Sequence, residues 1–472
     1  MRTGCADVPD EGAEPPMRRG LLASTLVLAA LSVVLPAQAQ AAHRGGRSHA
    51  SDAFTTKTPY EPQGNRLSYQ RVPAGFRPVF TENVSRHGAR TLSDSDDGDA
   101  LLALWQTARS AGALTTRGRG LGPEVQRLLD ANAAVGYGLL TASGKREMAE
   151  TAVRMEKRLP SLFSEAARSG GTRIDVVAAS QQRTVASATE FVRGLVSANP
   201  RLAPAIGPTR TDDDLLYFHK AAANKDYQDY VKNDPRVAAA ENAARDQPRT
   251  HDVAGDVLRR SFSPAFVRRI AAGDYADEFA DEIDAAEAVY NLDAVTLDMP
   301  AEGRWHMSRY ISLADAAWFG YLDDVTSFYE NGPAFKGDDI TYKMAGILLD
   351  DMFSRLDAKR DGTSHLAAEL RFTHAEEIFP LATLLQLPGS TKQLPEGTAF
   401  TYADDPFRGA EVAPMAANIQ WDLFKNGHDY VVRMFYNEKQ TAFKSSCTPI
   451  RKGSYFYDLT ELEQCYGWTP PR

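Results

Sequence analysis

The chain has 472 residues, of which 43% are hydrophobic and 24% are charged. This composition is typical of a globular protein, and the length suits two domains better than one. A net charge of −9, from 53 basic and 62 acidic side chains, argues against nucleic acid as the main partner. An anionic small molecule is still compatible, because a local arginine cluster can bind an anion inside an acidic protein.

The N-terminus has the pattern of an export signal. Met17-Arg18-Arg19 is basic, residues 21–35 are apolar but short for a membrane span, and Ala37-Gln38-Ala39 fits a cleavage site. Residues 1–16 are polar and acidic, which makes Met17 a candidate start. We expect residues 1–39 to be removed and the protein to be secreted or periplasmic, free of the membrane; an uncleaved anchor is the alternative.

The cysteines are consistent with export. Cys5 lies in the segment expected to be removed, which leaves Cys447 and Cys465 as an even pair 18 positions apart. In an exported protein such a pair predicts a disulfide. No cysteine has an arginine six positions later, and the nine histidines show no HExxH or His-x-His pattern. We therefore expect no cysteine nucleophile, no metal and no cofactor.

In chain order, the first strong element is the β-rich run 76–85, which predicts a buried strand. The turn that follows, Arg86-His87-Gly88-Ala89-Arg90, places two guanidinium groups around an imidazole. Guanidinium groups match phosphate oxygens two at a time, and an imidazole can attack phosphorus. Gly88 is expected to let the backbone approach a ligand. A chance match around a structural histidine is the alternative.

A second strand and turn come next. Apolar spacing predicts one helix over 145–163, and the run 173–179 predicts a strand. The polar turn Ser180-Gln181-Gln182-Arg183 then leads into another helix. This is half of a βαβ unit, with Arg183 at the C-terminal end of its strand.

The pattern then becomes alanine-rich and acidic, and it predicts an all-helical insertion over 205–349. The single histidines in it are expected to be structural: His219, His251 and His306. The flanking segments 66–204 and 350–472 are predicted to form an α/β core, and residues 40–65 a disordered leader. The predicted fold class is thus α/β, a Rossmann-like core sheet flanked by helices with an inserted helical domain.

The α/β pattern returns with a strand at 370–373, the turn His374-Ala375-Glu376 and a helix from Glu377, with Pro380 in its first turn. A further strand is predicted at 430–436. If the strands before the three polar turns are parallel, the turns meet at one sheet edge.

The residues expected to meet there divide into three roles. His87 is the expected nucleophile, and Glu376 is expected to donate a proton to the leaving alkoxide and then to activate water. A bound phosphate should raise the pKa of Glu376 and favour the acid role. The remaining side chains are expected to hold the phosphate oxygens: Arg86, Arg90, Arg183 and His374.

These motifs resemble the histidine acid phosphatases. The family motif Arg-His-Gly-x-Arg is similar to Arg86–Arg90, although Leu92 stands where the larger family usually has proline. The larger family usually also pairs the late histidine with aspartate. Here the segment His374-Ala375-Glu376 resembles the variant in the multiple inositol polyphosphate phosphatases. The late segment Val432–Lys439 with Cys447 is similar to the family's last strand and disulfide region.

The resemblance implies hydrolysis of phosphomonoesters, with inositol phosphates such as phytate as small polyanionic partners. Other cations would then line the pocket, and candidates by position are Arg109, Arg117, Arg119, Arg127, Lys220 and Lys225. The alternative for each of these, and the one favoured for any single residue, is a solvated surface charge. A general acid or sugar phosphatase is the alternative within the family, and an exported anion-binding protein is the alternative outside it.

Overall fold

The computed structural model describes residues 53–171 and 173–469. The predicted export signal 1–39, Cys5 and the first part of the leader lie outside the described residues. Within the described ranges, no helix is long and apolar enough to cross a membrane.

The described residues form one mixed sheet. Its strands are β1 (Arg77–Arg86), β2 (Ile174–Ala178), β3 (Ile206–Thr211), β4 (Ala368–Thr373), β5 (Asn418–Asn426), β6 (Asp429–Tyr436), β7 (Lys439–Thr441) and β8 (Phe456–Asp458). The strand order is β3-β2-β4-β1-β5-β6-β7, and β8 pairs with β6. The first four strands in this order are mutually parallel, and the remaining pairings are antiparallel.

Helices cover both faces of the sheet. They are α1 (Asp96–Ser110), α2 (Leu121–Val135), α3 (Ala142–Arg158), α4 (Pro160–Arg168), α5 (Gln182–Ala198), α6 (Asp213–Leu216), α7 (Lys225–Asn233), α8 (Pro235–Arg245), α9 (Pro248–Arg259), α10 (Pro264–Ala271), α11 (Glu282–Asp298), α12 (Leu313–Glu330), α13 (Gly346–Arg360), α14 (Ala375–Leu384), α15 (Gly409–Val412) and α16 (Leu459–Tyr466). The segment between β3 and β4 contains α6 to α13.

Successive side chains of a strand lie on opposite faces of the sheet, so neighbouring residues belong to different hydrophobic clusters. Val176 of β2 belongs to a buried cluster with Phe191 of α5, whereas its neighbour Val177 belongs to a second cluster with Phe353 of α13. A third cluster joins α1 and α2 to α9, α10 and α11. The predicted α/β class is confirmed, and both faces of the central strands are buried as parallel strands require.

The predicted helix over 145–163 is wrong in one respect: it is two helices. Leu159 leaves the helical conformation at φ −124° and ψ 51°, and Pro160 is the first residue of α4. Proline lacks the N–H that a continuing helix needs, and its ring disfavours a helical residue before it. Pro380 also lies deeper than predicted, because α14 begins at Ala375.

The leader prediction is wrong for residues 53–65. Phe54 and Tyr60 are buried, and Lys57 donates to Asp323 at 2.8 Å. Two aromatic side chains provide enough apolar area to hold this segment on the fold. The range 205–349 also begins with a strand, so the helical segment starts after β3. This edge strand was missed because it is half-exposed and has a proline and few apolar residues.

The disulfide predicted for the C-terminal region is present. Cys447 and Cys465 form a disulfide, with their Cα atoms 5.4 Å apart.

Candidate active site

Strand register brings the three polar turns to one edge of the sheet. Arg86 of β1 is aligned with Thr373 of β4, and Ala178 of β2 is aligned with Phe372 of β4. All three strands are parallel, so the turns after them lie side by side. The carboxyl edge of a parallel sheet is the usual ligand site in α/β folds.

The turn 86–90 is held by helices α3 and α5. The backbone N–H of Ala89 donates to Glu147 Oε2 at 2.7 Å, and that of Gly88 donates to Ser187 Oγ at 3.2 Å. The expected reason for Gly88 is corrected here. A β-carbon on Gly88 would come within 2.6 Å of the carbonyl oxygen of Gly144, so the glycine is required for packing on α3.

His87 is buried, and one of its ring nitrogens is already engaged. Its Nδ1 lies 2.9 Å from the carbonyl oxygen of Gly88. A carbonyl only accepts, so Nδ1 carries the proton and Nε2 of the neutral ring has a free lone pair. Burial lowers the pKa of His87 well below its usual value, and the charges of Arg183 and Arg86 lower it further. The ring therefore stays neutral at mildly acidic pH.

Two arginines present buried donors to this edge. Arg86 is anchored by hydrogen bonds from Nη1 to the carbonyl oxygens of Thr56 (2.5 Å) and Ala413 (2.7 Å). The Nε atoms of Arg86 and Arg183 are buried and have no hydrogen-bond partner among the described residues. Burial lowers the pKa of Arg86 to about 10, and the nearby guanidinium groups of Arg90 and Arg183 add to this. The charge of Glu376 acts in the opposite direction, and the unpartnered guanidinium donors make the site suited to an anion.

Arg90 is half-buried and closes the other side of the turn, where its Nη1 donates to the carbonyl oxygen of Thr91 at 2.9 Å. Asp298, at the end of α11, is buried close enough to Arg86 and Arg90 to feel both charges. Burial nevertheless raises the pKa of Asp298 well above its usual value, with a further rise from Glu147. Sequence reasoning missed Asp298, because nothing in the helical pattern of α11 marks it.

His374 is the residue that caps the N-terminus of α14. Its Nε2 lies 3.0 Å from Oε1 of Gln181, and its ring meets the ring of His87 edge-on with centroids 5.4 Å apart. Burial lowers the pKa of His374 well below its usual value, helped by Arg183. His374 is thus a neutral donor beside His87, joined to the second turn through Gln181.

Glu376 lies in the first turn of α14, and its charge state differs from the expectation. Burial alone would raise its pKa, but His219 and, after it, His374, a backbone hydrogen bond and Arg86 outweigh burial and lower the pKa to about 2. Because His374 is itself held neutral, His219 is the main cation acting on this carboxylate. Without a bound anion, Glu376 is ionised.

His219 was expected to be merely structural, yet it lies at the site. Its Nδ1 is 2.5 Å from Oε1 of Glu377, and both side chains are buried. Burial opposes a charge on His219, but the carboxylate of Glu377 overcomes this and raises its pKa. The partners are 158 positions apart, so no spacing in the sequence could have paired them.

The additional candidate cations are only partly placed at the site. Lys220 is exposed and close enough to His219 to act on its pKa. Arg127 pairs with Glu124, and Arg109 lies over the ring of Trp105 with 5.4 Å to the centroid. Of these three cations, Lys220 is the one shown to act on a residue of the site.

Residues 80–437 match the histidine phosphatase superfamily (branch 2). The match covers most of the chain, and the chain therefore belongs to this superfamily. This confirms the resemblance seen in the motifs and identifies the protein as a phosphatase.

Within the superfamily, the relatives point to one group. The chain is 24% identical to multiple inositol polyphosphate phosphatase 1 of Gallus gallus over 428 residues, which cover 85% of this chain and 86% of that protein. For the Homo sapiens protein of the same name the identity is 25% over 426 residues, covering 83% and 82%.

Solved structures agree with the sequence relatives. The Bifidobacterium longum multiple inositol polyphosphate phosphatase in complex with phosphate superimposes with a TM-score of 0.84 at 30% identity, covering 88% of this chain and 97% of that chain. The structure of the same enzyme with inositol hexasulfate gives a TM-score of 0.83. A phytase from D. castellii, at 15% identity and a TM-score of 0.62, shares the fold.

Proposed function

We propose that this protein hydrolyses the phosphate monoesters of inositol polyphosphates, with phytate as the leading substrate, through a phosphohistidine on His87. The buried Nε groups of Arg86 and Arg183, which have no partner in the described part of the chain, carry the proposal. Buried charged donors are costly unless a ligand satisfies them, and phosphate oxygens match guanidinium groups. The relatives named for inositol polyphosphates support the substrate class.

The first chemical step uses the tautomer of His87 inferred from its contact with the carbonyl oxygen of Gly88. The Nε2 lone pair attacks phosphorus while the bond from phosphorus to the inositol oxygen breaks. Arg86, Arg90 and Arg183 neutralise the phosphoryl oxygens as charge develops, and His374 donates its Nε2 proton to one of them in place of Oε1 of Gln181. The departing alkoxide takes a proton from Glu376.

Glu376 needs that proton, although it is ionised in the free enzyme. Bound phosphate groups bring negative charge to the pocket, and like charge raises the pKa of a carboxyl group. In this scheme the proton is taken up together with the substrate. In the second step the ionised Glu376 removes a proton from water, the water oxygen bonds to phosphorus, and the bond from Nε2 to phosphorus breaks.

The decisive experiment measures phosphate release from phytate at mildly acidic pH with a chelator present. We expect release by the purified protein and none by a folded His87→Ala variant. Release by both proteins would contradict the assignment of His87 as the nucleophile. Turnover of a small phosphomonoester without turnover of phytate would point to a general acid phosphatase. Phosphate binding without any turnover would point to an anion-binding protein.

We also propose that the protein is exported with cleavage after Ala39. The basic and apolar segments at 17–35 and the disulfide between Cys447 and Cys465 support export. N-terminal sequencing of the protein recovered outside the cytoplasm tests this. A retained segment 17–39 would contradict cleavage.

A further inference from the structure

The buried pair of His219 and Glu377 adjoins the proposed proton donor in the chain and acts on its charge. Glu377 follows Glu376 in the chain, and its two carboxylate oxygens have different partners. Oε1 faces Nδ1 of His219 at 2.5 Å, and Oε2 lies 2.9 Å from the hydroxyl of Thr373 and accepts from the backbone N–H of His374 at 3.3 Å. One carboxylate thus ties the histidine to the turn that carries Glu376.

The surroundings of His219 fix both its position and its charge. It is 4% exposed, and the ring of Tyr217 packs edge-on against it at 4.6 Å while also contacting His374 at 5.1 Å. The side chain of Gln228 donates to its backbone carbonyl at 3.2 Å. An imidazole this buried keeps a proton only because an anion faces it, and Glu377 is that anion. Burial raises the pKa of Glu377, and the charge and hydrogen bond of His219 oppose that rise.

We propose that His219 is a positioning residue whose imidazolium, locked by Glu377, holds Glu376 ionised until substrate phosphates enter the pocket. This rests on the proposed function, in which Glu376 is the proton donor. His219 does not touch the reacting atoms; it acts through the charge it presents to Glu376 and through the hold of Glu377 on the backbone of His374. The pair makes proton uptake conditional on substrate binding.

Other charged groups also face this carboxylate, so the test must isolate His219. The titratable and charged side chains around Glu376 and His219 are Arg86 from β1, Tyr227 from α7, Tyr217 and Lys220 beside His219, and His374 and Glu377 beside Glu376. Of the groups that lower the pKa of Glu376, His219 is the strongest. Removing it leaves Arg86 and His374 in place.

The test compares the pH profile of kcat for wild type and His219→Gln on two substrates. Glycerol phosphate leaves as an alkoxide and needs the proton, whereas p-nitrophenyl phosphate does not. The alkaline limb of kcat reports the proton donor in the substrate complex. Without the cation, we expect that limb to move to higher pH by about one to three units for glycerol phosphate only. His219→Lys, which restores a cation, should return it towards the wild-type position.

A matched control is His251→Gln. His251 also pairs with a glutamate, with Nδ1 2.7 Å from Oε1 of Glu282, but it lies on α9 and is half-exposed. Its substitution should leave both profiles unchanged. Two results for a folded His219→Gln variant would overturn the proposal. Either the alkaline limb of kcat does not move for glycerol phosphate, or it moves equally for both substrates.

A measurement on the unmodified protein covers the case in which the variants do not fold. Nitrogen NMR of the imidazole of His219 should show a doubly protonated ring at mildly acidic pH, because Glu377 raises its pKa above the usual value. A neutral ring there would overturn the proposal. Failure of the proposed function would look different: the wild-type protein would release phosphate from neither substrate.

Discussion

The backbones of Gly88 and Gly144 are in contact, and neither residue has room for a side chain. A β-carbon on Gly88 would come within 2.6 Å of the carbonyl oxygen of Gly144, and one on Gly144 would meet the carbonyl oxygen of Ala89 even more closely. One turn further along α3, Glu147 accepts from the N–H of Ala89 at 2.7 Å. The first two turns of α3 therefore fix the path of the turn that carries His87.

Gly144→Ala should damage both stability and activity. The added carbon must push α3 away from the turn, and overpacking of this kind costs about 1–3 kcal/mol in the free energy of unfolding. The displaced His87 should lower kcat/KM by roughly 100-fold, because catalysis is sensitive to small shifts of the nucleophile. Denaturant unfolding and phosphatase assays check the two effects.

The control for this substitution is Gly346→Ala in the first turn of α13. A β-carbon there has no atom within 4 Å, so stability should not fall and should rise by about 0.4–1 kcal/mol, because alanine restricts the unfolded chain. If Gly144→Ala behaved like this control, the contact between α3 and the turn would not be what positions His87.

Arg183→Met should remove a phosphate ligand without unfolding the protein. Its Nε is one of the buried donors that have no partner among the described residues. Loss of one such group costs about 10²–10³-fold in kcat. The pKa of His374 should rise in the same variant, because Arg183 contributes to lowering it. Kinetics and imidazole NMR measure the two effects.

Arg193→Met is the comparison on the same helix. Arg193 is 76% exposed and pairs only loosely with Glu190, at 3.2 Å. This variant should keep wild-type kcat. Equal kcat in the two variants would contradict a role for Arg183 in phosphate binding.

The strands and the turns after them could be predicted from sequence because their signals are local. β-rich runs predicted β1, β2, β4 and β6, and parallel pairing then placed Arg86, His87, Arg183 and His374 at one edge. Those signals depend only on hydrophobic runs and the polar residues after them. These local signals therefore predict the part of the site that lies at the ends of the strands.

The rest of the site depends on contacts between distant segments. His219 pairs with Glu377 across 158 positions, and Thr56 of the supposed leader anchors Arg86 through its backbone carbonyl. Any residue type can supply a backbone carbonyl, so the sequence does not mark Thr56. A single histidine in a helical segment belongs to no repeating pattern, so the sequence does not mark His219 either. The charge state of Glu376 could not be predicted for the same reason, since it is set mainly by His219.

The disulfide should matter for stability and not for catalysis. Cys447 and Cys465 close a loop of 18 positions, and a loop of about this size contributes ~3 kcal/mol by restricting the unfolded chain. The double variant Cys447→Ser/Cys465→Ser should lose about that much free energy of unfolding and keep wild-type kcat at 25 °C. Unfolding with and without reductant checks this, since reductant should lower the stability of the wild type only.

Glu376→Gln tests the proton donor through the leaving group. Glutamine keeps the shape of the side chain but cannot release a proton, so the first turnover of glycerol phosphate should slow by about 10²–10⁴-fold. The burst of nitrophenol from p-nitrophenyl phosphate should be much less affected, because nitrophenolate leaves unprotonated. Inositol hexasulfate should bind at least as tightly, since an anionic carboxylate with a pKa of about 2 in the free enzyme has been removed. Glu411→Gln, at an exposed position, serves as the control. An equal loss in the first turnover of both substrates would contradict proton donation by Glu376.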